Sequence, residues 1–194
     1  MMKTISDKEI QNIVHKVIQK SLSGTPSSEN SSQEISEPQV SDKRVVVIGT
    51  DHGGLDLKKI LKNFLIENNY DVIDVGTHTK DSVDYPDIAL AVAQAVASGQ
   101  AWRGVIIDGA GIGSCMAANK VPGVRAALCY DYATAVNSRE HNNANVLTLG
   151  AGLIGTNLAK QILCTWLDTD FAGGRHARRV EKITAIEKRF TQKG

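Results

Sequence analysis

From residue 44 onward, short apolar segments alternate with segments of helical periodicity, and this alternation constrains the fold more than any other feature. The apolar segments read RVVVIGT, YDVIDVGT, GVIID, VRAALC and ANVLTLG. Helical spacing predicts helices from about Leu55 to Asn68, Ile88 to Ser98, Gly113 onward, Tyr132 to Arg139, Asn157 to Leu167 and Arg175 to Lys188. Strands that alternate with helices form parallel sheets covered on both faces. We therefore predict an α/β fold, a Rossmann-like αβα sandwich with a five-stranded parallel sheet.

Composition divides the chain into three parts. Residues 1–22 have an apolar stripe at helical spacing, which predicts an amphipathic helix. Residues 23–43 are rich in Ser, Glu, Pro and Asn, a composition typical of a flexible linker. Residues 44–194 have the length of one globular domain. A tethered amphipathic helix needs a partner for its apolar stripe, either its own domain or oligomer, or a separate protein that reads it as an address.

Charge and cysteine content argue against several classes of protein. The formal net charge of +1 gives no broad basic field for nucleic acid or an anionic membrane. No apolar run reaches the roughly 18 residues of a membrane span. The three cysteines form no CxxC pair, which argues against a structural zinc site and fits a reducing compartment. We expect a cytoplasmic protein with neither a nucleic-acid nor a membrane partner.

Polar residues follow two of the predicted strands at the edge of the sheet where ligands bind. Asp51 and His52 come after the first strand, and Asp108 directly precedes three alternating glycines in DGAGIG. Asp51 could simply cap a helix, whereas His52 could transfer a proton near neutral pH. The glycines could close a tight helix cap or present backbone amides to a developing anion. No GK[ST] follows, so the loop is not a P-loop, and the third glycine of a dinucleotide fingerprint would fall at Ser114.

A second polar group follows later in the chain. His141 and Asn142 end the helix before the fifth strand, and the sequence GGRHARR begins the final helix. His141 could be an ordinary satisfied polar side chain. Arginines are unfavourable at the positive end of a helix dipole, so their clustering favours a phosphate clamp over a solvated basic face.

Five motifs carry a family resemblance: GTDHGG, VDYPDIA, DGAGIGSCMAANKVPGVRAA, SREHNNANVLTLG and GGRHARRVEKITAIE. Together they resemble the ribose-5-phosphate isomerase B and galactose-6-phosphate isomerase family from about Arg44 to Phe190. The resemblance implies a Rossmann-like fold and an aldose–ketose isomerisation of a sugar phosphate, with ribose 5-phosphate and ribulose 5-phosphate the first candidates. It also implies that no metal or cofactor is needed, and that a homodimer or tetramer shares its active sites between subunits.

Residue roles are carried over by motif position. The resemblance assigns catalytic roles, the handling of the sugar hydroxyls and the opening of the ring, to Asp51, His52 and His141. It assigns substrate binding to Tyr85, Gly109, Ala110, Gly111, Ile112, Gly113, Asn142, Arg175 and Arg179. The amides of Gly109 to Gly113 correspond to the hole for the enediolate, and the two arginines are those offered by the neighbouring chain.

The sequence departs from the family pattern around the glycine loop. Asp108 stands where a catalytic cysteine is common, and Ser114 stands where a second group has a glutamate. Ala110 replaces a Thr or Ser, and Gly152 replaces an arginine. We predict that Asp108 is the proton-transferring base; Cys115 is the alternative, although its place in the following helix favours packing. Two other readings stay open: a member that binds sugar phosphates without turnover, and one subunit type of a mixed oligomer.

The first 43 residues lie outside that resemblance. Their pattern of a short amphipathic helix, a Ser/Pro-rich linker and a catalytic domain resembles the encapsulation peptides of bacterial microcompartments. This resemblance implies contact with shell proteins through residues 5–22 and a location in the microcompartment lumen.

Overall fold

The computed structural model describes residues 44–191. The helix predicted over 1–22 and the linker predicted over 23–43 lie outside these residues. Five parallel strands form one sheet in the described part, in the order β2-β1-β3-β5-β4. The strands are β1 Val45–Thr50, β2 Asp71–Asp74, β3 Arg103–Asp108, β4 Ala126–Leu128 and β5 Val146–Gly150. The predicted five-stranded Rossmann-like sandwich is confirmed.

Helices cover both faces of the sheet. The covering helices are α1 Leu55–Glu67, α2 Tyr85–Ala97, α3 Ile112–Ala118, α4 Tyr132–Glu140 and α5 Thr156–Asp168, and a sixth helix, α6 Arg175–Thr191, adds no residue to either apolar cluster. Alternate residues of β1 point to opposite faces, so Val46 belongs to one cluster with residues of α1, α4 and α5, and Val47 to the other with residues of α2 and α3. Two apolar layers therefore enclose the central strands, as a doubly covered parallel sheet requires.

The second helix begins earlier than the spacing of apolar residues predicts. It starts at Tyr85 instead of Ile88, with Asp84 as the residue before it and Pro86 in its first turn. Proline is favourable there because its fixed φ suits the helix and its missing N–H would have no partner in the first turn. The early start places Tyr85 at the edge of the sheet that carries the polar motifs.

The strand register brings those motifs together. Thr50 pairs with Ile107 across β1 and β3, and Asp108 pairs with Gly150 across β3 and β5. The segments that follow these strands therefore leave the sheet side by side. This carboxyl edge is where ligands of open parallel sheets bind.

The final helix, α6, contacts its own chain near its C-terminal end. The Glu187 carboxylate accepts hydrogen bonds from the Gly123 amide at 3.0 and 3.1 Å. Ile183, Ile186 and Phe190 of α6 remain 48%, 56% and 79% exposed. No helix within residues 44–191 is long and apolar enough to cross a membrane.

Candidate active site

The glycine loop connects β3 to α3 through a tight turn. Gly111 has φ +75°, a left-handed conformation that side chains other than glycine rarely adopt. A Cβ there would lie 2.5 Å from the Leu128 side chain and 2.9 Å from the backbone of Leu149. Glycine is therefore required at this position, and the loop is held closely against the ends of β4 and β5.

Asp108 lies beneath this loop and is only 5% exposed. Its Oδ1 accepts a hydrogen bond from the Ala110 amide at 2.8 Å and another from the Gly111 amide. Its Oδ2 accepts from the Ser114 amide at 3.2 Å and from the Ser114 hydroxyl. All four donors belong to its own loop and the first turn of α3. The carboxylate therefore fastens the loop to the end of β3.

These bonds change what the loop amides can offer to a ligand. The sequence predicts a hole lined by the five amides from Gly109 to Gly113, but two of them, those of Ala110 and Gly111, donate to Asp108. The amides of Gly109, Ile112 and Gly113 are not engaged by this carboxylate. An anion on the loop would therefore meet at most these three.

Asp51 and His52 leave β1 beside the loop, in a 3-10 turn over His52–Gly54. The Asp51 side chain caps this turn by accepting a hydrogen bond from the Gly53 amide at 2.9 Å, as the helix-cap alternative predicted. A Cβ on Gly53 would lie 3.8 Å from the Gly109 amide nitrogen, so the turn and the loop are neighbours. The exposed His52 ring accepts from the Val83 amide at 3.4 Å through Nδ1.

Tyr85 stands against the other side of the loop. A Cβ on Gly113 would lie 2.5 Å from atoms of the Tyr85 ring and 2.7 Å from its hydroxyl oxygen. The absence of a side chain at Gly113 therefore lets the ring approach the loop closely. Tyr85 is 41% exposed, which leaves its ring open to a ligand. We name Asp51, His52, Tyr85 and residues 108–113 the loop site.

His141 belongs to a separate group at the end of α4. The Asn137 side-chain amide lies 2.8 Å from His141 Nδ1. If that amide donates, Nδ1 accepts and the imidazole proton is on Nε2. The His141 ring stacks on His176 at the start of α6, with centroids 4.2 Å apart and planes 4° apart. The Asn142 side chain donates to Asn137. We name His141, Asn142, Arg175, His176 and Arg179 the histidine site.

His176 is the buried member of this group, at 8% exposure. The Arg175 Nε lies 3.3 Å from His176 Nε2. Burial lowers the pKa of His176, and the neighbouring His141, Arg175 and Arg179 lower it further. His176 therefore favours the neutral form, which allows it to stack on His141 without placing two charges face to face.

The loop site and the histidine site are not joined within one chain by any hydrogen bond, ion pair or ring contact among residues 44–191. Within one chain, His141, Arg175 and Arg179 therefore make no direct contact with the loop site. The sharing of sites between subunits stays a prediction.

Cys115 is not arranged as a base. Its Sγ lies 3.4 Å from the Ala126 carbonyl oxygen, which accepts the thiol proton, on the side of α3 that faces β4. Burial raises the pKa of this half-buried thiol, so the neutral form is favoured. These contacts fit the packing role that its place in the helix predicts. No group of three or more His, Cys, Asp or Glu side chains in the described part is placed to hold a metal ion.

Sequence reasoning did not single out two side chains that shape the loop. The Ser114 hydroxyl bonds to Asp108, and the Tyr130 hydroxyl donates to the Ala110 carbonyl at 2.6 Å. Tyr130 follows β4 at the carboxyl edge of the sheet, so its position was a usable signal. The signal was weak because the contact depends on the path of the glycine loop, which composition does not specify.

Comparison with known proteins places these motifs in a family. Residues 46–183 match the family model described as Ribose/Galactose Isomerase. The chain belongs to the ribose/galactose isomerase family. The match spans both candidate sites, and the prediction of an enzyme of the isomerase class is confirmed.

Relatives and solved structures in this family resemble the chain over most of their length. It is 45% identical over 144 residues to ribose-5-phosphate isomerase B of Escherichia coli, covering 74% of this chain and 97% of that protein. It is 43% identical over 143 residues to D-erythrulose-4-phosphate isomerase of Pectobacterium atrosepticum, covering 73% and 94%. The structure of Clostridium thermocellum ribose-5-phosphate isomerase B matches with a TM-score of 0.74 and 53% identity, over 75% of this chain and 99% of that one.

Proposed function

We propose that the chain interconverts an aldose phosphate and the corresponding ketose phosphate, with ribose 5-phosphate and ribulose 5-phosphate the first pair to test. The observation that carries the proposal is the loop site. His52, Tyr85 and the loop amides that do not donate to Asp108 lie together at the carboxyl edge of β1 and β3. The similarity to ribose-5-phosphate isomerase B of Escherichia coli supports the choice of substrate.

The reaction needs a base that moves a proton between two adjacent carbons while the oxygen charge of the enediolate is stabilised. In this proposal Asp108 is the base, as its place in the motif predicts. The hydrogen bonds of Asp108 oppose this role, because both carboxylate oxygens already accept from the loop or from α3 and are less available to a substrate proton. The Ser114 hydroxyl is the donor that can turn, since a hydroxyl can donate to a carboxylate and accept from a carboxylic acid. Oδ2 would then take the proton while Oδ1 keeps the loop in place.

The remaining roles follow the chemistry of the side chains. Asp51, His52 and His141 act on the sugar hydroxyls and open the ring. Tyr85 and Asn142 contact the substrate. Arg175 and Arg179 bind the phosphate, for which a guanidinium offers paired donors. These arginines come from a second copy in a homodimer or tetramer. The lack of direct contact between the histidine site and the loop site in the described part of one chain supports this arrangement.

The test is an assay of the purified full-length chain with ribose 5-phosphate, galactose 6-phosphate and erythrulose 4-phosphate. We expect conversion of at least one of them, with ribose 5-phosphate fastest. Binding of these compounds without conversion of any would contradict the proposal.

A second candidate is a family member that binds sugar phosphates without turnover. The observation that favours it is the full engagement of Asp108 by its own loop. It predicts a rise in melting temperature with sugar phosphates and no isomerisation. A third candidate is one subunit of a mixed oligomer whose cysteine-bearing partner completes the site. Co-purification of such a chain would support it, and full activity of this chain alone would exclude it.

We further propose that residues 1–43 direct the enzyme to a microcompartment shell through residues 5–22. The support is the sequence pattern alone, since these residues lie outside the described part. A reporter fused to residues 1–43 should collect on shell particles, and replacement of Ile13 and Val17 by Glu should abolish this. A reporter that stays diffuse in cells that make the shell would count against the proposal.

A further inference from the structure

Tyr130 makes a contact with the loop that none of the roles above uses. This half-buried residue follows β4, and its hydroxyl donates to the Ala110 carbonyl oxygen at 2.6 Å. The same carbonyl lies close to β5: a Cβ on Gly150 would lie 2.7 Å from the Ala110 oxygen. The carbonyl is therefore directed toward β5 and Tyr130, on the opposite side of the loop from the Asp51–Gly53 turn of β1.

The peptide between Ala110 and Gly111 is consequently held at both ends. Tyr130 binds its carbonyl, and Asp108 accepts from its N–H, which belongs to Gly111. Gly111 lies at φ +75° and ψ −7°. Glycine reaches positive and negative φ almost equally well, so a peptide that precedes a glycine can rotate at little steric cost. The bond from Tyr130 opposes this rotation.

Rotation of this peptide would be harmful to the proposed reaction. The N–H and C=O of a trans peptide point in opposite directions, and the Gly111 N–H points to Asp108, so rotation would turn the Ala110 oxygen toward the Asp108 carboxylate. A carbonyl oxygen there would repel the carboxylate, remove one of the bonds that orient the proposed base, and displace the loop amides on either side. Binding of the ground-state substrate would change less.

We propose that Tyr130 is a positioning residue for the isomerisation, which fixes the Ala110–Gly111 peptide with its N–H on Asp108 and its carbonyl turned away from this proposed base. The inference rests on the proposed function. The hydroxyl acts through the loop and does not touch substrate. Its removal therefore weakens stabilisation of the transition state more than binding of the substrate.

Tyr130→Phe is the decisive variant, because it removes the hydroxyl and keeps the ring. Tyr132→Phe is the matched control, since Tyr132 is a neighbouring tyrosine, 59% exposed, on the first turn of α4. We measure kcat and KM for the converted sugar phosphate, the melting temperature, and the affinity for a hydroxamate that mimics the charged enediolate.

We expect Tyr130→Phe to lower kcat roughly 10-fold and to weaken hydroxamate binding by a similar factor, about one hydrogen bond in size. KM should stay within about twofold and the melting temperature close to that of the wild type. Tyr132→Phe should resemble the wild type in all four measurements.

Two results would overturn the inference while leaving the proposed function intact. One is a wild-type kcat in Tyr130→Phe. The other is a loss of kcat that accompanies an equal loss of substrate affinity and a large fall in melting temperature, which indicates a merely structural role. A wild-type chain that converts no sugar phosphate would instead contradict the proposed function, and this inference with it.

Discussion

Among single residues, Asp108 has two roles in this account. Its carboxylate accepts the hydrogen bonds that stabilise the glycine loop, and it is also the proposed base for proton transfer. Four hydrogen bonds from the loop and α3 fix its orientation. Fixed groups are useful in catalysis since they need no reorganisation when charge develops. The same bonds leave Oδ2, next to the rotatable Ser114 hydroxyl, as the oxygen that can take a proton.

Asp108→Asn tests this combination of roles. Asparagine keeps one acceptor oxygen for the loop but cannot accept a substrate proton. We expect kcat to fall at least about 100-fold, the usual size of a general base contribution, and the melting temperature to fall by a smaller amount. Steady-state kinetics and thermal unfolding measure the two effects. A kcat within about threefold of the wild type would show that Asp108 only stabilises the loop and that another group is the base.

His176 predicts a dependence of stability on pH. Its pKa is lowered from the ordinary value of 6.5 by burial and by the nearby His141, Arg175 and Arg179. The unfolded chain therefore binds a proton at this ring at a higher pH than the folded chain does. Stability falls as the pH drops from about 6.5 toward the lower folded value, and is unaffected by this group at pH 8.

His176→Phe keeps a flat ring against His141 and removes the titration. Urea unfolding at pH 8 and pH 5.5 should show a smaller loss of stability at acidic pH in this variant than in the wild type. The exposed His78→Phe serves as control and should retain the wild-type loss. Equal acid sensitivity in the wild type and His176→Phe would contradict the account.

At the scale of elements, a buried ion pair ties α1 to β2. Lys58 Nζ lies 2.8 Å from Asp74 Oδ1 and donates to the Thr77 carbonyl at 2.7 Å, and Lys62 lies 3.0 Å from Asp74 Oδ2. The Lys58 side chain is 2% exposed. Burial alone would raise the pKa of Asp74, but the two lysines outweigh it and lower the pKa.

Asp74→Asn should destabilise the fold by roughly 3 kcal/mol, because it leaves the Lys58 ammonium buried without its counter-charge. Chemical denaturation at neutral pH measures the change. The double variant Asp74→Asn with Lys58→Met should recover part of the loss, since it removes the stranded charge. A single variant as stable as the wild type would show that the pair contributes nothing to joining α1 and β2.

Periodicity and β-branched runs were enough to predict the five strands and the helices between them, because these patterns report burial directly. The start of α2 at Tyr85 was not predicted, because the spacing of apolar residues carries no information on the preference of Pro86 for the first turn of a helix. The strand ends also pointed to Asp51, His52 and the glycine loop as candidates, whereas Tyr85 came from the family resemblance alone. The partners of Asp108 could not be predicted, because they depend on the left-handed turn at Gly111 and on which amides it directs inward.

At the scale of the whole molecule, the two halves of the proposed site make no direct contact among residues 44–191 of one chain. A dimer that shares sites should therefore allow two inactive variants to complement each other. We expect Asp108→Asn and His141→Asn to be inactive alone. An equimolar mixture of the two, after subunit exchange, should recover roughly a quarter of wild-type activity, since about half of the dimers are mixed and each of these holds one intact site of two.

The matched control mixes Asp108→Asn with His52→Asn. Both changes lie in the loop site, so every shared site remains defective and no activity should return. Recovery in the control, or none in the test mixture, would contradict a site shared between the loop site of one subunit and the histidine site of the other.

The central claim is that this chain moves a proton between adjacent carbons of a sugar phosphate. Proton NMR of the purified full-length chain with ribose 5-phosphate in D₂O tests it most directly. The account predicts that ribulose 5-phosphate appears and that it carries deuterium at C1, the carbon to which the base returns the hydrogen. Bound ribose 5-phosphate that gains no deuterium and forms no ketose would contradict it.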